Sequence, residues 1–310
     1  MASGTSQSSL IDPATLMRIK SLEMRARVVV EGFWKGLHKS PYHGFSVEFS
    51  EYRPYTKGDD PRFIDWKVVA RSDRVFIKKF EDETNLRCTL LVDQSQSMGY
   101  GSGEYAKADY AATLAATLAY FLMGQGDAVG LATFDEKPDQ AIPARNRPGH
   151  LRRLMMRLEQ APRGSGTDLV APLRALSDLI TRRGVFVLIS DLLAPIEELE
   201  THLGYLAAAG HDLVIFHTLD RAELEFTFDK ATHFRDVETG EDLYIDPDVA
   251  RAGYLEKLNA HLDALRGICD RNRIDYRLVP TDEALELSLF DFIRNRKDGG
   301  MLPARALNRA

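Results

Sequence analysis

Short apolar runs of strand length alternate with helical segments from residue 81 to about residue 296. The apolar runs predict β-strands at residues 89–92, 128–134, 185–190, 213–218 and 274–279. Helices are predicted at residues 104–123, 150–158, 169–181, 195–206, 249–272 and 282–294. Because parallel strands need long crossover connections, this alternation predicts a doubly wound, mostly parallel α/β sheet with helices on both faces.

Charge divides the chain into two parts. Residues 1–80 hold 14 basic and 9 acidic side chains, whereas residues 81–310 hold 26 basic and 37 acidic ones. We therefore predict a small N-terminal α+β module, which begins with a helix at 13–35, and a larger second domain. The predicted divisions are the module at residues 1–80, the domain at 81–296, a hairpin inserted in it at about 225–245, and a flexible tail at 297–310.

The composition argues against several classes of function. The chain of 310 residues has a net charge of −6, which is unfavourable for nucleic acid as the main partner. Cys88 and Cys269 lack the spacing of a zinc site or a disulfide framework. The N-terminus lacks the order of a signal peptide, and the longest apolar stretch, residues 111–123, is too short to span a bilayer. We therefore expect a cytoplasmic protein without a membrane span.

The residues with the clearest chemistry follow the first predicted strand. Asp93 ends that apolar run, and two hydroxyl groups follow it at Ser95 and Ser97. This D-x-S-x-S string places three oxygen ligands in one loop between a strand and a helix. Hard divalent cations such as Mg²⁺ prefer oxygen ligands in near-octahedral geometry. The string therefore indicates part of a metal site.

Two later segments offer further oxygen ligands. Thr167 lies in the glycine-rich loop 164–168, and Asp191 follows the strand predicted at 185–190. In a doubly wound sheet, ligands bind at the carboxyl ends of strands where the strand order reverses. Each residue taken alone has a plainer interpretation, since Asp93 and Thr167 could cap helices and Asp191 could be a turn residue. Their joint occurrence in this order favours a metal site.

This order of residues resembles the metal-ion-dependent adhesion site of von Willebrand factor A domains, over about residues 86–280. The resemblance implies the strand order 3-2-1-4-5-6, with a short antiparallel strand near residues 140–143. It also implies that Mg²⁺, or Mn²⁺ in its place, contacts Ser95, Ser97 and Thr167 directly. Asp93 and Asp191 would act through water. In that family a partner protein supplies an Asp or Glu as the missing ligand.

A second resemblance lies in residues 48–71, with the sequence EFSEYRPYTKGDDPRFIDWKVVAR. This string is similar to the signature of a bacterial family, domain-of-unknown-function family fifty-eight. Proteins of that family carry a von Willebrand factor A-like domain and are typically encoded beside MoxR-type AAA+ ATPases. Many of them carry N-terminal membrane helices, and this chain shows none, so we expect a soluble form. We interpret the charged residues of the signature as a structural network in preference to a catalytic or nucleotide-binding one.

These observations favour a non-catalytic module that binds a partner's carboxylate through Mg²⁺. The resemblance implies an adaptor that works with a MoxR-type ATPase in the assembly or remodelling of a protein complex. The alternative is a Mg²⁺-dependent phosphate-ester hydrolase that uses the same pocket. Phosphotransferases of the haloacid dehalogenase type need a second carboxylate two residues after the first, and here that position is Ser95. A third interpretation is a scaffold with a vestigial metal site.

Overall fold

A six-stranded sheet forms the centre of the larger unit of the chain. The computed structural model describes residues 10–39, 52–54, 76–78, 86–135, 141–160, 184–228, 232–235, 242–245 and 247–297. The described strands are β1 (Tyr52–Pro54), β2 (Phe76–Lys78), β3 (Arg87–Asp93), β4 (Ala128–Phe134), β5 (Ile142–Arg145), β6 (Val185–Ser190), β7 (Asp212–Leu219), β8 (Thr232–Arg235), β9 (Asp242–Ile245) and β10 (Asp275–Pro280).

The helices lie before, between and after these strands along the chain. They are α1 (Pro13–Met17), α2 (Leu22–Lys39), α3 (Lys107–Gly124), α4 (His150–Leu158), α5 (Ile196–Ala208), α6 (Arg221–Glu225), α7 (Pro247–Asn272) and α8 (Leu285–Lys297), with a 3-10 helix at Ser97–Gly99. From residue 86 onwards, the predicted strands and helices that the structure describes lie within three residues of these bounds. The helix predicted at 169–181 lies outside the described residues.

The strand order confirms the predicted fold class. The sheet runs β10-β7-β6-β3-β4-β5, and all neighbours are parallel except β5, which pairs antiparallel with β4. Counted from β3 as the first strand, this is the order 3-2-1-4-5-6 of a von Willebrand factor A-like domain. The antiparallel edge strand expected near residues 140–143 is β5. The order reverses between β3 and β6, at the centre of the sheet.

Helices cover both faces of this sheet. Alternate strand residues such as Leu91 and Leu188 form one buried cluster with Leu203 of α5 and Leu265 of α7. The intervening residues of β3 point to the opposite face, where α3 packs against β3 and β4. Because α3 is rich in alanine and leucine and is buried along most of its length, it approaches the sheet closely. Both faces are therefore dry, as a parallel sheet requires.

Helix α1 and most of α2 cluster with the sheet unit, whereas the sequence assigns them to the module predicted at residues 1–80. Described residues 10–36 cluster with the sheet unit, and the smaller unit comprises residues 37–85. Phe33 of α2 packs edge-on against Phe121 of α3, with ring centroids 6.1 Å apart. The backbone N–H of Ile11 donates to Glu286 Oε1 of α8. Charge differs between the two parts of the chain, but one apolar contact and one hydrogen bond fix where the N-terminal helices lie.

The helix predicted at 13–35 is divided into α1 and α2. Asp12 Oδ2 accepts from the backbone N–H of Thr15 and caps α1. The Ser21 hydroxyl accepts from the backbone N–H of Met24 at the start of α2. A second cap in the middle of the segment therefore starts a new helix.

Of the smaller unit, the structure describes the last three residues of α2 and the strands β1 and β2, which pair antiparallel. The strand predicted at 74–80 contains β2, whereas the other elements predicted for residues 40–71 lie outside the described residues. In the sheet unit, β8 and β9 pair antiparallel in the region predicted as an inserted hairpin. The tail after residue 297 also lies outside the described residues. Within the described parts, no helix is both long and apolar enough to cross a bilayer.

Candidate metal centre

Asp93 lies at the carboxyl end of β3, in the centre of the sheet. Its side chain is buried, and its Oδ1 accepts from the backbone N–H of Ser95 at 2.8 Å. Its Oδ2 accepts from the hydroxyl of Ser190 at 2.6 Å. Because Ser190 ends the neighbouring strand β6, the Asp93 carboxylate joins the two strands between which the order reverses.

Two buried hydroxyl groups follow Asp93 in the loop towards α3. The backbone turns at Ser95, whose carbonyl accepts from the N–H of Met98 at 3.2 Å. This turn brings Ser95 Oγ and Ser97 Oγ to 3.0 Å from each other. Adjacent ligands of an octahedral Mg²⁺ ion, at about 2.1 Å from the metal, are about 3.0 Å apart. The separation of the two hydroxyls therefore suits one edge of such an ion's coordination shell.

Asp191 directly follows β6 and is fully buried. Its Oδ2 accepts from Lys107 Nζ at 2.8 Å, and its Oδ1 accepts a long hydrogen bond of 3.4 Å from the N–H of Leu193. Leu192 adopts a left-handed backbone conformation with φ of 48°. Such a conformation is unfavourable for a residue with a β-carbon and is maintained by the surrounding contacts. The strand therefore ends in a tight turn directly after the Asp191 carboxylate.

The two buried carboxylates influence each other electrostatically. Burial and the negative charge of Asp191 raise the pKa of Asp93 from 3.8 to about 7, although hydrogen bonds from Ser190 and Ser95 act in the opposite direction. Two buried carboxylates close together are unfavourable when both are ionised. A cation near both would remove this repulsion. The electrostatics of the site therefore favour a bound cation.

The described structure already places one cation at Asp191. Lys107, the first residue of α3, is fully buried and also donates to Glu223 Oε1 at 2.7 Å. Burial lowers the pKa of Lys107, but the negative charges of Asp191 and Glu223 outweigh this effect and leave it raised. Lys107 is therefore charged at neutral pH and forms two ion pairs inside the protein.

Glu223 connects this ion pair to a neighbouring loop. Its Oε2 accepts from the backbone N–H of Asp220 at 2.7 Å, which completes a capping box at the start of α6. Asp220 in turn accepts from the backbone N–H and the hydroxyl of Ser102, in the loop before α3. Hydrogen bonds and ion pairs thus link Asp191 to α6 and to the loop that carries Ser102.

The donor set at the strand ends fits a hard divalent ion. Its described members are the carboxylates of Asp93 and Asp191 and the hydroxyls of Ser95 and Ser97, all oxygen ligands. Within the described residues, no group of three or more His, Cys, Asp or Glu side chains gathers to hold a metal. A softer ion such as zinc, which prefers nitrogen and sulfur ligands, therefore has no comparable site in those parts of the chain.

The structure brings together the predicted site residues that it describes. Asp93, Ser95 and Ser97 share one hydrogen-bonded loop, and Asp191 adjoins the Ser190 hydroxyl that donates to Asp93. The fifth predicted residue, Thr167, lies outside the described residues.

Sequence analysis missed three residues at this site, which are Ser190, Lys107 and Glu223. Lys107 carries a signal that could have revealed its role. A positive charge at a helix N-terminus opposes the helix dipole, so a lysine there indicates a nearby acidic partner. Glu223 stands three residues after Asp220, which is the spacing of a capping box.

Comparison with known proteins identifies the family. Residues 51–263 match the family described as Protein of unknown function DUF58. The chain belongs to the DUF58 family. An uncharacterized protein of Mycobacterium bovis and one of Mycobacterium tuberculosis are each 28% identical to it over 299 residues, which cover 94% of this chain and 92% of theirs. The family predicted from residues 48–71 is therefore confirmed.

Solved structures show a distant likeness to this DUF58 protein. An aerotolerance-related membrane protein from Bacteroides fragilis is 14% identical with a TM-score of 0.47, and the match covers 68% of this chain and 99% of that one. The conserved hypothetical protein BatB from Bacteroides thetaiotaomicron is 12% identical with a TM-score of 0.47, covering 69% and 100%. The SpRpn10 VWA domain is 14% identical with a TM-score of 0.41, covering 71% and 99%.

Proposed function

We propose that this DUF58 protein is a non-catalytic interaction module that binds a carboxylate of a partner protein through a divalent cation, Mg²⁺ or Mn²⁺. One observation carries the proposal. The Asp93 carboxylate and the hydroxyls of Ser95 and Ser97 meet at the point where the strand order reverses, and the two hydroxyls are 3.0 Å apart. Asp191 and the loop residue Thr167 complete the proposed set of metal ligands.

The chemistry of these groups supports binding in preference to catalysis. Bound there, the ion would supply a positive charge, and the resemblance to the adhesion site implies one coordination position for an anionic ligand. Two carboxylates balance the charge of the ion, and neutral hydroxyls leave it able to attract a further carboxylate. Ser95 occupies the position at which a phosphotransferase of the dehalogenase type needs its general acid. No described contact favours the alternative of a phosphate-ester hydrolase.

A MoxR-type AAA+ ATPase is the partner that we propose, with this chain as its adaptor in the assembly or remodelling of a protein complex. Support comes from membership in the DUF58 family and from the signature at residues 48–71. The resemblance to the adhesion site adds a requirement. Because the proposed ion lacks one ligand, the surface of the partner must present an accessible Asp or Glu.

The test measures metal binding and partner binding separately. Isothermal titration calorimetry with MgCl₂ compares wild type with Ser97→Ala and Asp191→Ala. Asp263→Ala, on the exposed side of α7, is the matched control. We expect both site variants to lose at least about tenfold in metal affinity, while circular dichroism shows an intact sheet. Unchanged affinity in both would exclude the proposed site.

A second arm uses a purified MoxR-type ATPase encoded in the same genome. Complex formation is expected with Mg²⁺, and is expected to be lost with EDTA or in Asp191→Ala. If neither EDTA nor Asp191→Ala weakens complex formation, the metal centre is not the docking site. Metal-dependent hydrolysis of a phosphate ester, lost in Asp93→Ala, would favour the hydrolase instead.

A further inference from the structure

Lys107 occupies an unusual position beside the proposed metal centre. Its ammonium group lies 2.8 Å from Asp191 Oδ2 and 2.7 Å from Glu223 Oε1, and no part of its side chain is exposed to solvent. The aromatic ring of Tyr100 lies on another side of it, with the centroid 5.9 Å from Nζ. No other lysine among the side chains that the structure describes is buried. This cation is therefore built into the site.

Lys107 and a divalent ion would both need the Asp191 carboxylate. Asp191 is a proposed metal ligand, yet in the described structure its carboxylate already has a positive partner. A divalent ion would share the carboxylate with Lys107 or displace it. Two cations a few ångströms apart in a buried site repel each other strongly, because little solvent screens them. Glu223 offers Lys107 a second partner that does not belong to the proposed ligand set.

We propose that Lys107 is a resident cation that competes with the divalent ion for Asp191 and so sets the metal affinity of the site. The inference rests on the proposed function, since it concerns the same metal centre. Lys107 weakens metal binding, and Glu223 favours it by giving the ammonium group a second partner at 2.7 Å, which Lys107 keeps when the ion takes Asp191. A bare ion then binds weakly. A partner carboxylate adds a negative charge, which raises the affinity of the site for the divalent ion.

Two substitutions have opposite expected effects on Mg²⁺ affinity. Lys107→Met keeps the length and apolar character of the side chain and removes its charge, so Mg²⁺ affinity should rise at least about tenfold, or about 1.4 kcal/mol. Glu223→Gln removes the second partner, so Lys107 pairs with Asp191 alone and the affinity should fall several-fold. A purely structural role of the ion pairs predicts weaker binding in both variants.

The experiment is isothermal titration calorimetry of the full chain with MgCl₂, on wild type and both variants. Lys257→Met, on an exposed position of α7, is the matched control and should leave the affinity unchanged. Thermal unfolding gives a second measurement. In EDTA, Lys107→Met should unfold at a lower temperature than wild type, because the buried Asp191 and the partly buried Glu223 lose their cation. Mg²⁺ should raise its unfolding temperature more than that of wild type.

The outcomes separate this inference from the proposed function. Unchanged or weaker Mg²⁺ binding in Lys107→Met would overturn the inference, and the metal centre would stand if Asp191→Ala still abolishes binding. If Lys107→Met does not fold, Lys107→Gln replaces it, since it also removes the charge, and unchanged or weaker Mg²⁺ binding in that variant overturns the inference. Absence of Mg²⁺ binding in wild type and Lys107→Met alike would refute both.

Discussion

Replacement of Asp93 by asparagine is expected to stabilise the metal-free protein at high pH, although it removes a proposed metal ligand. Asparagine has the shape of aspartate, so its oxygen can accept from the N–H of Ser95 and its amide can donate to Ser190 Oγ. It carries no charge, and therefore avoids both the burial penalty and the repulsion from Asp191 that raise the pKa of Asp93 to about 7.

The size of the effect follows from the difference in pKa between the folded and unfolded states. The folded value of about 7 lies about 3 units above the ordinary value of 3.8, and each unit corresponds to about 1.4 kcal/mol. Because the folded pKa of an acid is raised, its contribution to stability is retained below about pH 4 and lost as the pH rises to about 7. Wild type should lose up to about 4 kcal/mol over this range through Asp93.

The assay is urea unfolding in EDTA, at about pH 4.5 and about pH 8, for wild type and Asp93→Asn. The substitution alters one hydrogen bond at a cost of about 1 kcal/mol that does not depend on pH. The diagnostic quantity is therefore the change with pH in the stability difference between the two proteins. Between the lower and the higher pH, we expect the stability of Asp93→Asn relative to wild type to increase by at least about 2 kcal/mol. Asp263→Asn, at an exposed site, controls for general charge effects.

A stability difference that stays constant between the two pH values would refute this reasoning, because it would show that Asp93 is ionised without penalty in the folded protein. Added Mg²⁺ provides a cross-check. It should stabilise wild type and leave Asp93→Asn much less affected, since the uncharged amide is a poorer ligand for a hard cation.

Three further substitutions test the packing around the sheet. Phe33→Ala should lower the unfolding free energy by about 3 to 5 kcal/mol, because a buried ring is lost from the contact with Phe121. A loss below about 1 kcal/mol in urea unfolding would show that this contact does not hold α2 in place. Gly130→Ala should lower the unfolding free energy by about 1 to 3 kcal/mol, since a β-carbon would lie 2.8 Å from the backbone nitrogen of Ala144. An unchanged thermal unfolding temperature would contradict the close approach of β4 and β5. Asp220→Ala should lower the unfolding free energy by about 1 to 2 kcal/mol and speed amide hydrogen exchange in α6, because it removes the N-terminal cap of that helix. Unchanged exchange in α6 would show that Asp220 does not stabilise the helix as its cap.

The sequence by itself determines the class of fold and the position of the candidate metal-binding loop. The period of the apolar residues depends only on neighbours along the chain, so the predicted bounds of β4, β6 and α4 agree with the structure. Asp93, Ser95 and Ser97 follow one another within five residues. Their proximity is therefore local, and the resemblance to von Willebrand factor A domains could be recognised without tertiary contacts.

The tertiary structure alone decides which distant groups meet these residues. Lys107 pairs with acids 84 and 116 positions away, and the Ser190 hydroxyl reaches Asp93 from 97 positions away. No local pattern encodes such pairs, because they depend on which strands become neighbours and where their ends lie. The same holds for α2, whose apolar face seats Phe33 against α3. Burial of those apolar surfaces depends on tertiary contacts between distant segments. It therefore places α2 with the sheet, although charge divides the chain near residue 80.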